Sequence, residues 1–324
     1  MSENNTEMDT RQLIEDTAAK MFADHCDKAV QDAAERGEFA QALHRLVAES
    51  GFDQLGSTDS GTDMGDLCTF LFQCGRAAVP LPLAETALVN RWCGVSEGVG
   101  SIGVIAGEEI VDVPWGRAAH RVVGVSPGSN EVVLVTAPQL IAEDHNLAGE
   151  PRDRVQLPAN GERLTIAEDP YTVLALTRIT MMAGGLQALL ALGMQFAQER
   201  EQFGRSISKF QAIQHSLACI ASEAAAAQRA SYAATDALGT ERFEQEVAAG
   251  KARAGEAVTL VAEQVHQIHG AMGFTHEHRL HHFSRRCWAW REEYGNESYW
   301  AAVLGRHLAG LGADHVWDYI ATAS

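Results

Sequence analysis

The sequence has little positive charge, and this shortage limits what the protein can bind. Lysine and arginine number 25 against 43 aspartates and glutamates, which gives a formal net charge of −18 at pH 7. No basic stripe offsets this charge, so nucleic acids and anionic membrane surfaces are poor partners. A small anionic ligand stays compatible with it, because salt screens repulsion beyond about 8 Å and a single arginine then dominates locally.

Disulfide and targeting signals are also missing. The six cysteines are scattered and form no C-x-x-C pair, which favours reduced thiols in a cytoplasmic protein. The first residues, MSENNTEMDTRQ, are polar and precede no apolar stretch. We therefore expect neither a signal peptide nor a membrane-spanning run.

Proline is absent from both ends of the chain. All eight prolines fall between Pro80 and Pro170. Because proline interrupts helices, this distribution predicts two helical flanks around a non-helical middle. We expect a mainly α fold with a small β unit: an N-terminal helical domain at 1–95, a reduced middle β domain at 96–168 and a C-terminal four-helix bundle at 169–324.

The hydrophobic spacing supports the middle and last parts. In the middle, β-rich runs alternate with turn signals. The candidate strands are Ser101–Ile105, Glu109–Val113, Arg121–Val125, Glu131–Thr136 and Arg154–Leu157. In the last part, four apolar stripes with helical spacing predict four long antiparallel helices. These stripes begin at Leu186, Ile213, Val258 and Trp300.

A tight corner joins the first two helices of the predicted bundle. It lies within FAQEREQFGRSISKFQAIQHSLA, residues 196–218, and presents a cation and amides where a nucleotide could bind. Simpler roles stay open for several of its residues. Gly204 could be a helix C-cap, Ser208 to Gln211 form an S-x-x-Q capping box, and Arg200 could be a solvated helix end.

Two motifs of the chain resemble the signature of the acyl-CoA dehydrogenases. The first is ER-x-x-FG-x-x-I-x-x-FQ-x-IQH at the corner, and the second is QIHGAMGFT at 267–275. Their order and spacing are those of the family. Its members are flavoenzymes with an N-terminal helical, a middle β and a C-terminal four-helix domain, which matches the predicted order of elements.

The resemblance implies contacts to FAD. In the family, both segments bind the FAD that a neighbouring subunit mainly holds. Arg200 would grip the pyrophosphate with its planar guanidinium, Phe203 would pack on the cofactor and Gln211 would hydrogen-bond it. The second segment would approach the adenosine half through Gln267, Ile268, Gly270 and Ala271.

The chain departs from the family at the residues that carry out the reaction. The flavin-facing motif T-E-P-x-x-G-S-D is missing from the middle domain. Family members remove a substrate proton with a carboxylate, usually in Y-E-G-T, while hydride passes to the flavin. That position is Tyr294 here, and a phenol with a pKa of about 10 is a poor base. Glu293 is a weak catalytic candidate beside it, and the family's second base position, near Leu174 and Ala175, carries no acid.

These departures imply a specialised subunit. The chain resembles the shorter, partly degenerate subunit of heteromeric bacterial acyl-CoA dehydrogenases of the steroid side-chain type. We expect a FAD-dependent oxidoreductase of lipid or steroid catabolism that acts on an acyl-CoA. It would work with a larger partner subunit in an α2β2 heterotetramer and with an electron-transfer partner. Two alternatives stay open: a non-catalytic scaffold subunit, and a self-sufficient homo-oligomeric dehydrogenase with Glu293 as its base.

Six histidines cluster between His266 and His282. No cysteine or carboxylate pattern within this segment completes a metal site, so we expect no metal. The histidines, and Arg285 and Arg286 after them, fit ion pairs or subunit contacts better.

Overall fold

A computed structural model describes residues 3–94, 98–107, 110–158 and 161–321. Among these described residues, five α-helices form the first part of the chain. They are α1 (Glu3–His25), α2 (Lys28–Glu35), α3 (Gln41–Glu49), α4 (Met64–Ala77) and α5 (Leu83–Cys93). Asp27 starts α2 by accepting a hydrogen bond from the backbone of Val30, and Asp63 forms a capping box with Asp66 at the start of α4.

In the described part of the middle of the chain, seven strands form two small sheets. They are β1 (Gly100–Val104), β2 (Ile110–Pro114), β3 (Arg121–Val125), β4 (Glu131–Thr136), β5 (Gln139–Ala142), β6 (Arg152–Gln156) and β7 (Glu162–Thr165). One sheet has the order β1-β3-β4-β7, in which β1 and β3 are parallel, and the other has the order β2-β6-β5. The sequence predicted five of these strands, although Glu109, at the start of one prediction, lies outside the described residues. It missed β5 and β7, because both are short and largely exposed and so lack a buried alternating face.

The last part of the chain contains the helix bundle. Its helices are α6 (Pro170–Glu199), α7 (Gln211–Asp236), α8 (Phe243–His269), α9 (Leu280–Glu292), α10 (Glu297–Leu311) and α11 (Ala313–Ala321). The four predicted stripes lie on α6, α7, α8 and α10. α9 packs on α6 and α8 but was missed, because its buried face includes histidines and an arginine that an apolar pattern does not detect.

α6 is the central helix of the fold. It packs against α4, α7, α8 and α9. The sequence pattern predicts no membrane-spanning run, yet α6 is long and apolar enough to be one. Its most apolar window is 89% buried inside the protein, so here it serves as a core helix. Asp169 caps its N-terminus and Pro170 follows in the first turn, where a missing N–H costs nothing.

One continuous hydrophobic core joins all three parts of the chain. It contains Phe70 of α4, Ile102 of β1, Val123 of β3, Leu186 of α6 and Val261 of α8. A second, smaller cluster lies between the two sheets. The predicted mainly α fold with a small β unit is therefore confirmed, whereas the domain boundaries at 95 and 168 stay predictions.

Two glycines let α4 and α6 approach at backbone distance. A Cβ atom on Gly184 would lie 2.0 Å from the carbonyl oxygen of Phe72, and one on Gly75 would lie 2.0 Å from that of Met181. Neither neighbour is a flexible side-chain end, so a methyl group at either position forces the helices apart.

We therefore expect Gly184→Ala to destabilise the protein by about 1–3 kcal/mol, the usual cost of overpacking a core. The measurement is the free energy of unfolding from urea titration. Gly305→Ala is the matched control, because Gly305 is also helical but a Cβ there meets nothing within 4 Å. The control should be neutral or stabilised by up to about 1 kcal/mol; equal losses in both variants would contradict the steric explanation.

Candidate cofactor-binding site

The predicted corner is a two-residue β-hairpin between α6 and α7. Strands β8 (Glu201–Gln202) and β9 (Arg205–Ser206) pair across Phe203 and Gly204, whose φ angles are 53° and 75°. Two successive positive φ angles are typical of a type I′ turn. Ser206 anchors this hairpin to α6, because its Oγ donates a hydrogen bond of 2.8 Å to the carbonyl of Ala197.

Phe203 is an exposed aromatic residue in an unfavourable backbone conformation. Its side chain is 93% exposed, and a bulky residue seldom adopts a positive φ. The rings of Phe203 and Phe210 pack edge to face, with their centroids 6.1 Å apart. The guanidinium of Arg205 lies 4.2 Å from the centre of the Phe210 ring. Strained residues of this kind are concentrated at binding and active sites.

Arg200 and Gln211 flank the hairpin and are both exposed. Among the residues that the structure describes, neither side chain has a hydrogen-bond or ion-pair partner. Two of the simpler roles predicted for the corner are wrong. Gly204 lies in the turn and not at the end of α6, and α7 starts at Gln211 with no side-chain cap, so Ser208 and Gln211 form no capping box.

The second motif follows directly on the end of α8. Gly270 has a φ of 58° and begins a 3₁₀ turn, and a Cβ at this position would meet nothing within 4 Å. Gln267, Gly270 and Ala271 are exposed, as a contact to an external ligand requires. Ile268 is 5% exposed and its side chain packs in the hydrophobic core, so it anchors this segment to the bundle instead of facing a ligand.

An aromatic stack brings the two motifs together at one end of the bundle. The ring of Phe196, at the end of α6, stacks on that of His269 with their centroids 4.4 Å apart. Nearby, Gly193 allows close contact with Val265, since a Cβ there would lie 3.2 Å from the Val265 side chain. The sequence alone does not reveal this positioning role of His269, because its partner Phe196 is distant in the chain.

The family's base position is buried inside the protein. Tyr294 has a φ of 57°, and its hydroxyl donates a hydrogen bond of 3.0 Å to Glu85. Burial and the neighbouring Glu85 raise the pKa of Tyr294 well above its usual value. Leu174 and Ala175, at the second base position, are fully buried in the core. Neither position provides a proton acceptor.

Glu293, the weak candidate for the base, is held between two arginines. Its carboxylate contacts Arg152 at 2.5 Å and Arg178 at 2.7 Å, and Arg178 also pairs with the buried Glu85. Burial alone would raise the pKa of Glu293, but the charges of Arg152 and Arg178 lower it to about 2. A carboxylate with so low a pKa is a weak base, so its engagement here argues against a catalytic role.

The ion pairs around Glu293 continue across the molecule. Arg152 approaches Glu150 at 3.6 Å, and Glu150 contacts Arg286 of α9 at 2.9 Å. Arg286 lies 3.7 Å from Glu35 of α2. Arg286 is fully buried, so its role in ion pairing is structural.

A cleft of about 540 Å³ opens between β1, β2 and the end of α9. Glu293, Arg152 and Tyr294 contribute to its lining. Its other charged residues are the acids Asp112, Asp144 and Glu292. This excess of negative charge is unfavourable for the phosphates of coenzyme A.

We expect Glu293→Gln to destabilise the protein by about 3–5 kcal/mol at pH 7, because it leaves the buried Arg178 and the half-buried Arg152 short of a partner. A glutamate with a lowered pKa stabilises the fold above its unfolded pKa of about 4.3, and this contribution is lost as the pH falls toward 2. The variant should therefore show a flatter stability profile over that window in urea titrations. Its exposed neighbour provides the control: Glu292→Gln should change stability by less than about 0.5 kcal/mol. An unchanged pH profile in Glu293→Gln would contradict the ion-pair assignment.

Comparison with known proteins supports the assignment of these motifs. Residues 169–309 match the sequence profile of the acyl-CoA dehydrogenase, C-terminal domain. The chain is 26% identical over 308 residues to the acyl-CoA dehydrogenase IpdE2 of Mycobacterium tuberculosis, an alignment that covers 87% of this chain and 92% of that protein.

Solved structures share the fold over nearly the whole chain. A variant of the Tcur3481-Tcur3483 steroid ACAD superposes with a TM-score of 0.81 at 21% identity, covering 94% of this chain and 99% of that one. The ChsE4-ChsE5 complex from Mycobacterium tuberculosis gives a TM-score of 0.77 at 18% identity, with 93% and 97% covered. The two motifs, the matching C-terminal domain and the nearly full-length relative make this chain similar to the acyl-CoA dehydrogenases.

Proposed function

We propose that the chain is a subunit of a FAD-dependent acyl-CoA dehydrogenase that completes a cofactor site across a subunit interface. A larger partner subunit would hold the flavin and supply the base, in an α2β2 assembly. The contrast between the corner and the two base positions carries this proposal. The groups suited to a nucleotide are exposed at the corner, whereas the position of the base is closed by buried ion pairs.

The corner fits the diphosphate half of FAD. Arg200 is an exposed cation without a partner in the described part of the chain, and a guanidinium binds two phosphate oxygens at once. Phe203 offers a ring face beside it, and Gly270 leaves open space for close backbone approach. All three lie on the outside of the bundle, which favours a cofactor held by a second chain.

The interior does not fit the flavin ring and substrate of a complete active site. Tyr294 donates to Glu85, Glu293 is neutralised by Arg152 and Arg178, and the adjoining cleft is acidic. To remove the α-proton of a thioester in this way, a carboxylate has to reach the substrate and have a pKa high enough to accept a proton. This chain offers none at either family position, so we assign that step to the partner.

Bound FAD would supply the hydride acceptor for formation of an α,β double bond. The part of this chain is to orient it: Arg200 holds the diphosphate, Phe203 covers it, and Gln211 and Gln267 donate hydrogen bonds. The comparison structures include a two-component complex and a steroid ACAD, which supports a hetero-oligomer and makes a steroid side-chain thioester our candidate substrate. Electrons would leave through a separate electron-transfer partner.

Arg200→Ala should lower the flavin content of the co-purified complex. Loss of charge-assisted hydrogen bonds to the diphosphate costs about 1.5–3 kcal/mol, or roughly ten- to a hundredfold in FAD affinity. The measurement is flavin bound per complex after dialysis, together with dehydrogenase activity at saturating and limiting FAD. Arg45→Ala is the control, since Arg45 is an exposed arginine of α3 outside the corner.

Two results would decide between this proposal and its alternatives. A complex that keeps its full flavin content and activity in Arg200→Ala favours the scaffold alternative. The second experiment expresses the chain alone and then together with its partner. We expect colourless protein alone and yellow protein from co-expression; a yellow, active chain on its own favours the self-sufficient dehydrogenase.

A further inference from the structure

Two histidines of α9 and an aspartate of α2 converge at a point away from the corner. His281, His282 and Asp32 each offer one ligand atom, and these three atoms lie within 4.8 Å of one another. His282 is fully buried and His281 is 9% exposed, whereas the side chain of Asp32 is 35% exposed. The point is therefore enclosed by protein but accessible past Asp32.

A backbone hydrogen bond determines which nitrogen of His281 is free. Its Nδ1 lies 2.8 Å from the carbonyl oxygen of His278. A carbonyl oxygen only accepts, so Nδ1 carries the hydrogen. Nε2 of the neutral ring then presents a bare lone pair.

His282 has the same arrangement with a carboxylate as its partner. Its Nδ1 lies 2.7 Å from Oε1 of Glu35, a carboxylate that also faces Arg285 at 3.3 Å and Arg286 at 3.7 Å. An ionised carboxylate accepts, so Nδ1 donates here too. Histidines that bind metals almost always donate their other ring N–H to a carboxylate or a backbone carbonyl. Both patterns occur here, on adjacent residues.

Nε2 of His282 is a buried nitrogen without a hydrogen-bond partner among the residues described. Oδ1 of Asp32 lies 3.0 Å away but not in hydrogen-bond geometry. Nε2 of His282 therefore faces a carboxylate oxygen at close range, and a cation between the two atoms would bind both of them. A proton could join two of the three converging atoms, whereas a metal ion would join all three.

We propose that His281, His282 and Asp32 bind a divalent transition-metal ion of the zinc type, which links α2 to α9. Two imidazole nitrogens and one carboxylate oxygen are ligands that zinc prefers, with a fourth position left for water. Zinc–ligand distances of about 2.0–2.2 Å place tetrahedral ligands about 3.3 Å apart. Asp32 and His282 are already near this spacing, and His281 offers the third ligand atom within 4.8 Å of both. Lys28, which contacts Asp32 at 2.6 Å, would share that carboxylate with the ion.

The test measures zinc binding by the full chain after treatment with a chelator. Isothermal titration with Zn²⁺ should give one ion per chain, and Co²⁺ should give the visible absorption of a low-symmetry site. His281→Ala and Asp32→Asn should each abolish stoichiometric binding. Glu35→Gln, which removes the orienting carboxylate, should weaken binding about 10–100-fold.

Matched controls remove the same residue types from the end of α1. His25 and Asp24 are exposed, so His25→Ala and Asp24→Asn should bind zinc as the unmodified chain does. Far-ultraviolet circular dichroism checks that each variant folds. Should His281→Ala fail to fold, Asp32→Asn decides the question, because its side chain is partly exposed. Absence of stoichiometric zinc binding by the unmodified chain, or undiminished binding by Asp32→Asn, would overturn the proposal.

Discussion

The buried ion pairs around Arg178 are the constraint on which the rest of the structure depends. Charges removed from water are tolerated only when each has a close partner. Arg178 of α6 meets Glu85 of α5 and Glu293 after α9, and Glu293 in turn meets Arg152 of β6. These contacts tie the first helices, the strands and the bundle to one another. They also occupy the interior where the family carries out its reaction, so the same charges that join the three parts close that site.

Local patterns in the sequence predict much of the fold, and contacts between distant residues explain what they miss. Prolines confined to the middle and four apolar stripes predict the order of helices and strands. α9 escapes this reasoning, because it buries His282 and Arg286 instead of an apolar stripe. The motifs predict which residues lie at the corner. They do not predict that Glu293 is neutralised, since Arg152 and Arg178 come from other parts of the chain, nor that Asp32 and Glu35 lie beside the histidines of α9.

The exposed corner and the closed interior fit a division of labour between two kinds of subunit. In a symmetric enzyme, each chain needs both a site of its own and contacts to its neighbour's site. A chain that serves only its neighbour is free to replace the base with Tyr294 and to fill the space with paired charges. Such a chain would still need the residues that contact its neighbour's cofactor. The strained backbone of Phe203 and the unpaired side chain of Arg200 in the described structure agree with that need.

The type I′ hairpin has a consequence for the proposed contact between two subunits. Its turn of Phe203 and Gly204, its Ser206 anchor to Ala197 and the packing of Arg205 on Phe210 all lie within one short stretch of chain. These contacts form when the chain folds and need no second molecule. Because the loop is ordered in advance, association does not have to overcome the entropy of ordering it. The corner is a preorganised surface, and in the proposed assembly the affinity between the two subunits would not be reduced by the entropy of ordering this loop.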